Sequence, residues 1–332
     1  VNQTLPASQT EAAAQALSSL AIVICTFNRQ DLLKQALESI AALTDPGGVH
    51  VSIVVVDNSD DSNAFAAAES MRAVLPWDLQ IVAAHPANIS VARNAGVAAA
   101  GEADIVAFVD DDQQLAPDWL IAVSRATREL PHDAFLGAVD ADFERTDLAG
   151  RTARTLFSRQ LDAPTGHELI AMGPDKTKVI ALATNNAIFR RRTTLLDEVC
   201  FDPGFGNGGG EDYDLFCRLQ RRGRRFAWLA DARAAEHVPA SRCDPDYLAR
   251  RLFAGGQAYA MAVSKNSALP HLERWRLRLV AIIQLVLLAP IWLKHLRSPQ
   301  SERDELRFKI AAVRGKLSLR GLVPIYRKEQ RS

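Results

Sequence analysis

Asp110, Asp111 and Asp112 stand side by side at the end of the apolar run 105–109. Adjacent carboxylates repel one another, so three in a row need water around them or a cation among them. A solvated turn capping the next helix is one reading. The other is a site for a hard divalent cation: Mg2+ binds through one or two carboxylates plus substrate phosphate oxygens, and Mn2+ takes the same ligands and imidazole as well. A second acidic group, Glu211 and Asp212 in GGGEDYDL, opens a helical period. Acids there complement a helix dipole. A carboxylate next to a glycine-rich segment can also come close enough to a substrate to take a proton. Asp214, further along the same helix, is expected at the surface or paired with Arg218.

The segments that must position these acids alternate between short β-rich runs and helical periods. Continuous apolar runs at 20–25, 51–57, 79–84 and 104–110 read as strands buried on both faces. Between them, helical spacing occupies 29–43, 62–74, 90–100 and 116–130. This order predicts an α/β fold with a mostly parallel sheet flanked by helices, and such sheets bind ligands at the carboxyl ends of their strands. Those ends carry Thr26 to Arg29, Asp57, Asn88 (after the third strand) and Asp110 to Asp112. Further strands are expected at 135–144, 178–191 and 225–232, a helix at 211–223, and a C-terminal helical extension at 245–264, 272–296 and 301–318.

Composition narrows the classes. The 332 residues are 48% hydrophobic and 23% charged, ordinary for a folded chain. The 39 basic and 39 acidic residues cancel, which gives no support for a nucleic-acid partner. Four cysteines form no CxxC pair, so reduced thiols and a cytoplasmic setting are expected. Residues 1–19 lack a basic segment ahead of their apolar part, and read as a flexible extension rather than a signal peptide. No G-x-G-x-x-G follows any strand, which excludes a Rossmann dehydrogenase.

Taken together, TFNR after the first strand, VVVDNSDD, NISVARNAG, FVDDD, TNNAIFRR and GGGEDYDLFCRLQRRG resemble, in order and spacing, family 2 glycosyltransferases, nucleotide-sugar-dependent enzymes of the GT-A fold. The resemblance covers about residues 20–240, and it implies a role for each matching position. Thr26, Asn28 and Arg29 would line the nucleotide pocket, and Asp57 would accept hydrogen bonds from uracil or an equivalent base. Asn88 and Arg93 would lie near base and diphosphate. Asp110 would reach the ribose or the metal, with Asp111 beside it, and Asp112 would hold Mn2+ or Mg2+. His237 would complete the metal shell. Asp212 would be the catalytic base, Glu211 would position acceptor or donor, and Asn185 and Asn186 would face the donor sugar. Plainer alternatives stay open: a surface charge for Arg93, strand-end hydrogen bonding for the two asparagines, a structural place for His237.

The resemblance implies an inverting transferase moving one sugar from a nucleotide-diphosphate sugar, UDP in the first instance, to an acceptor hydroxyl. Processive relatives carry Q-x-x-R-W after the base. Here the nearest stretch is HLERW at 271–275, so a single addition is expected. A metal-dependent nucleotidyltransferase is the alternative enzyme, although CTFNRQD lacks the glycine-rich loop such enzymes carry after strand one. A non-catalytic sugar-nucleotide-binding protein is the third reading.

The region 241–332 changes character. Leu279–Leu293 is an apolar run of 15 residues, short of the roughly 20 that span a bilayer core, and Pro290 interrupts it. Trp275 and Trp292 with flanking Arg and Lys suit a membrane surface. Residues 272–320 are therefore expected to sit on the inner face of the plasma membrane, which would make a lipid-linked saccharide of surface-polysaccharide assembly a fitting acceptor. A buried helix or a dimer contact is the alternative.

Overall fold

The computed structural model describes residues 18–206 and 208–325. Most of the expected N-terminal extension, residues 1–17, lies outside the described residues. Strands β1 (Ser19–Thr26), β2 (His50–Asp57), β3 (Asp78–Ala83) and β4 (Ile105–Asp110) alternate with helices α1 (Gln30–Ala41), α2 (Ala64–Met71) and α3 (Ile89–Ala99). β5 (Gln113–Leu115), α4 (Trp119–Glu129), β6 (Ala134–Phe143), α5 (Arg151–Phe157), β7 (Glu168–Leu169), β8 (Ala187–Arg190) and α6 (Arg191–Thr194) follow. The chain continues through α7 (Glu211–Arg221), β9 (Phe226–Val238), α8 (Pro245–Lys265), α9 (Pro270–His295) and α10 (Gln300–Leu317).

The strands form one nine-stranded sheet in the order β3-β2-β1-β4-β8-β6-β9-β5, with β7 against β9. β3, β2, β1 and β4 are parallel, β8 runs antiparallel between β4 and β6, and β9 is parallel to β6. β1 shows why both faces are covered. Leu20, Ile22 and Ile24 pack on one side with α1, α2 and α4, whereas Ala21 and Val23 pack on the other with α3 and α7. A Cβ on Gly96 of α3 would sit 2.4 Å from Val23 Cγ1, so the missing side chain is what lets that helix lie on the sheet.

Two expected strands differ in extent. Of 178–191 only Ala187–Arg190 is a strand, because Asn186 turns the chain with φ 53° and its side chain bonds inward. The strand expected at 225–232 instead runs on to Val238, and its polar alternation beyond Ala230 reflects one face toward the core and one toward solvent. Four short elements had no sequence signal: β5, α5, β7 and α6.

α8 and α10 are docked on the sheet through Phe143, Phe157, Val238, Tyr247, Leu248 and Phe308. They cross closely. A Cβ on Gly315 would lie 2.0 Å from Phe253 O, and one on Gly256 would lie 2.1 Å from Ala312 O. α9 is different. Only Leu277 and Ala281 are buried, while Trp275, Leu279, Ile283, Val286, Leu287 and Leu293 are exposed. Its 26 residues are long and apolar enough, by length and composition, to cross a membrane. The alternative of a buried core helix is thereby overturned.

Candidate active site

The acidic cluster sits where β1 and β4 end side by side, with Cys25 in register with Asp110. Asp111 turns back toward β1: its Oδ2 accepts from Thr26 Oγ1 at 2.8 Å and its Oδ1 from Arg29 at 3.1 Å. Asp112 turns the other way, its Oδ2 held by Arg29 at 3.3 Å and by Arg242 at 3.1 Å. Gln113 Oε1 accepts from the Asp110 N–H at 3.2 Å and keeps the turn tight. Burial raises the pKa of Asp110, Arg93 opposes the rise, and Asp112 adds to it. Burial pushes Asp111 up to about 6 against the pull of Arg29.

Two more carboxylates close on this cluster. Glu211, at the start of α7, is buried and ion-paired with Arg93 from α3, whose guanidinium lies 5.7 Å from the Phe201 ring centroid. Its second oxygen, Oε2, is buried without a hydrogen-bond partner among the described residues. Burial takes its pKa to about 7, with Arg93 opposing and Asp212 adding. Asp212 is half-buried, and its Oδ1 accepts from the Tyr213 N–H at 2.6 Å. Gly210 precedes them with φ 99°, a conformation that glycine adopts without steric cost. Asp212 is near enough to Asp110 for its charge to push that carboxyl upward. Asp214, expected at the surface or on Arg218, is paired with Arg218 at 2.9 Å but fully buried, since Asn266 also donates to it at 2.8 Å.

Glu236, Arg159 and Arg242 complete the site and were not anticipated. Glu236 Oε2 accepts from Asn185 Nδ2 at 3.3 Å, and burial together with Asp112 and Asp110 drives its pKa to about 8. Arg159 reaches from the segment after α5 to bond Asn185 Oδ1 at 3.1 Å and the carbonyls of Gly137, Ala183, Asn185 and Asn186. The segment around Arg159 has no periodicity, so nothing in the sequence marked it. Period-two alternation predicts that one of Glu236 and His237 faces the site, but not which.

The structure places the remaining expected positions as follows. His237 follows Glu236 on β9, is half-buried, and its backbone N–H donates to Asp112 O at 2.8 Å. Asn186 does not face a donor. It is fully buried, accepting from Trp119 Nε1 at 2.8 Å and donating to Ala138 O and Ala232 O at 2.9 Å each. Asn88 is the N-cap of α3, its Oδ1 accepting from Ser90 N and Val91 N and its Nδ2 donating to Pro203 O. Asp57 is fully buried and committed to its own loop, accepting from Ser59 N, Ser59 Oγ and Ala64 N. Arg93 is no surface charge but is buried against Glu211. Asn28, at φ 56°, is exposed and accepts from Asn63.

Six carboxylates (Asp110, Asp111, Asp112, Glu211, Asp212 and Glu236) thus meet four guanidinium groups (Arg29, Arg93, Arg159 and Arg242), a formal excess of two negative charges. Among the described residues no three His, Cys, Asp or Glu side chains form a ready metal cage. Neighbouring carboxylates such as Asp110 and Asp112 are the oxygen ligands that Mg2+ or Mn2+ takes alongside substrate oxygens.

A sheet of this order, flanked by helices on both faces, is the GT-A fold. The chain belongs to glycosyl transferase family 2, whose model matches residues 21–194. It is 31% identical over 246 residues to the succinoglycan biosynthesis protein ExoM of Rhizobium meliloti (strain 1021), covering 74% of this chain and 75% of that protein. Among solved structures it is similar to S. aureus TarS 1–349 in complex with UDP, with 16% identity, a TM-score of 0.53, and coverage of 77% of this chain and 68% of that one. It is also similar to the mannosyltransferase PcManGT from Pyrobaculum calidifontis in complex with GDP-Man and Mn2+, with 18% identity, a TM-score of 0.54, and coverage of 90% and 86%. At these identities the two structures speak for the fold. Family membership removes the nucleotidyltransferase alternative.

Proposed function

We propose that the protein transfers a single sugar from a nucleotide-diphosphate sugar, with UDP as the nucleotide, to a hydroxyl of a saccharide acceptor, inverting the anomeric centre. The observation that supports this reading is the approach of Asp212 to Asp110, close enough for its charge to push that carboxyl upward, beside an Asp111 held by Thr26 and Arg29. The complex of TarS with UDP favours UDP as the nucleotide, and the relationship to ExoM favours polysaccharide biosynthesis as the setting.

Asp212 accepts the proton of the acceptor hydroxyl as its oxygen bonds the anomeric carbon, and the bond from that carbon to the diphosphate breaks on the far face. The Tyr213 N–H holds one Asp212 oxygen, leaving the other for the acceptor. Arg29 and Arg242, now on Asp112, are placed to follow the donor's phosphates. A divalent cation, Mn2+ or Mg2+, held by Asp110 and Asp112 would supply neutralisation of the charge on the leaving diphosphate.

We also infer membrane contact through residues 272–320, on the cytoplasmic side. α9 exposes an apolar surface with Trp275 and Trp292 near its ends. Spanning is disfavoured, because α10, which follows it, is packed back on α8 and on Thr152 of the catalytic unit. The acceptor assigned to this arrangement is a lipid-linked saccharide.

The test is release of sugar from a panel of nucleotide sugars with Mn2+ or Mg2+, together with a thermal shift on UDP. Asp212→Asn is expected to keep the UDP shift and to lose turnover by about 100-fold or more. Near-normal turnover in that variant would remove Asp212 from its role.

A further inference from the structure

A cavity of about 240 Å3 opens where α8, the start of α9 and the segment after α10 meet, lined by Gln257, Met261, Arg274, Ser318, Arg320 and Leu322 among others. It is smaller than a drug-sized site, and suited to a compact group. The Arg274 and Arg320 side chains make no hydrogen bond or ion pair with the described residues. More positive charge lies beside them. Lys176 Nζ is 4.6 Å and 4.4 Å from the ring centroids of Tyr213 and Tyr259, and Lys316 Nζ is 5.6 Å from that of Tyr259. Burial lowers the pKa of both lysines; at Lys176 Cys217 opposes the fall and the charge of Lys316 adds to it. The acid at this corner, Glu273, is spent on Arg276.

Two surfaces meet at the cavity. Outward from Arg274 runs the exposed apolar stripe Trp275, Leu279, Ile283 and Leu287, spaced at one helical turn. Inward, the walls are shared with the catalytic loop. A Cβ on Gly208 would lie 2.6 Å from Cβ of the lining residue Leu322, with Asp212 four residues further on. The donor's own phosphates are assigned to the Asp110–Asp112 edge, so this cavity serves a different anion.

We propose that the cavity holds the phosphate or diphosphate linker of a lipid-borne acceptor, with the lipid chain along Trp275–Leu287 and the saccharide reaching Asp212. The proposal deepens the acceptor assignment above and rests on it. Guanidinium groups such as those of Arg274 and Arg320 select phosphate oxygens by bidentate hydrogen bonding, and the adjoining apolar stripe selects an anion that carries a hydrocarbon chain.

The test is flotation of the full chain, in EDTA so that the metal-dependent donor site is silent, with three vesicle types: phosphatidylcholine alone, phosphatidylcholine with dioleoylglycerol diphosphate, and phosphatidylcholine with phosphatidylglycerol at matched surface charge. The diphosphate vesicles should bind most tightly, and Arg274→Gln/Arg320→Gln should weaken that binding by at least about tenfold. Inorganic pyrophosphate should compete only weakly. Unchanged binding by the double variant, or equal binding of the wild type to the phosphatidylglycerol vesicles, overturns the proposal. Pyrophosphate binding as tight as that of the lipid overturns the lipid assignment. The UDP thermal shift with Mn2+, measured in parallel, should be the same in both proteins. Its absence in the wild type would sink the sugar-transfer reading independently of the vesicle result.

Discussion

Asp112 is buried and held by two guanidinium groups, Arg29 and Arg242. A bound cation must compete with both arginines, and only a ligand that also engages them, such as a diphosphate, makes the exchange favourable. Asp112→Asn is therefore expected to abolish Mn2+-dependent UDP binding, read as loss of the thermal shift. The crowding of acids around it has a pH signature. Asp111, Glu211 and Glu236 hold their protons to about 6, 7 and 8, whereas in the unfolded chain such groups ionise near pH 4. Between those limits the folded chain binds more protons than the unfolded one, so the stability from these groups is full below about pH 4 and declines as pH rises toward 8. The melting midpoint in EDTA is expected to be lower at pH 8 than at pH 6, and Mn2+ with UDP to stabilise more at pH 8. Equal midpoints at both values would show that these acids ionise normally in the fold.

At the scale of elements, the site is made by three approaches: β4 beside β1, α7 facing them across the sheet edge, and β9 bringing Glu236 in from the far side. α7 is tied down by Asp214, which accepts from Asn266, by Arg218, which reaches Asp197 at 3.3 Å, and by Tyr213, whose hydroxyl donates to Ala171 O at 2.7 Å. Helix packing behind it depends on small residues. Gly315→Val would drive its side chain into Phe253 O, and overpacking of this kind costs about 1–3 kcal/mol. The expected outcome is a lower denaturation midpoint and faster proteolysis within α10, with UDP binding retained. Loss of UDP binding instead would mean that α10 supports the donor pocket.

For the whole molecule, the charge balance of zero conceals a division of labour between an acidic sheet edge and a basic, apolar C-terminal region. Both ends of α9 return to the catalytic unit, so its apolar side faces outward like a keel. Replacing Leu279, Ile283 and Leu287 together by serine should leave the melting temperature nearly unchanged, because these side chains are exposed. It should strongly reduce vesicle binding, since each buried aliphatic side chain contributes about 1.5–3 kcal/mol. Undiminished flotation of that variant would refute membrane attachment through this face.

Local sequence determined the alternation of β1 to β4 with α1 to α3, the acids at the tip of β4, and the glycines ahead of Glu211 and Asp212. Each follows from apolar periodicity, turn chemistry or a run of like charges within a few residues. The tertiary structure decided which polar side chains face the site. Asp57, Asn88 and Asn186 are the right residue types at strand ends, yet their hydrogen bonds are spent on Ala64, Pro203 and Trp119, partners up to 115 residues away. Glu236 rather than His237, and the reach of Arg159 and Arg242, depend on strand register and on contacts across the sheet. No local period encodes these, because the burial and counter-charges that select such residues exist only once distant segments are packed together.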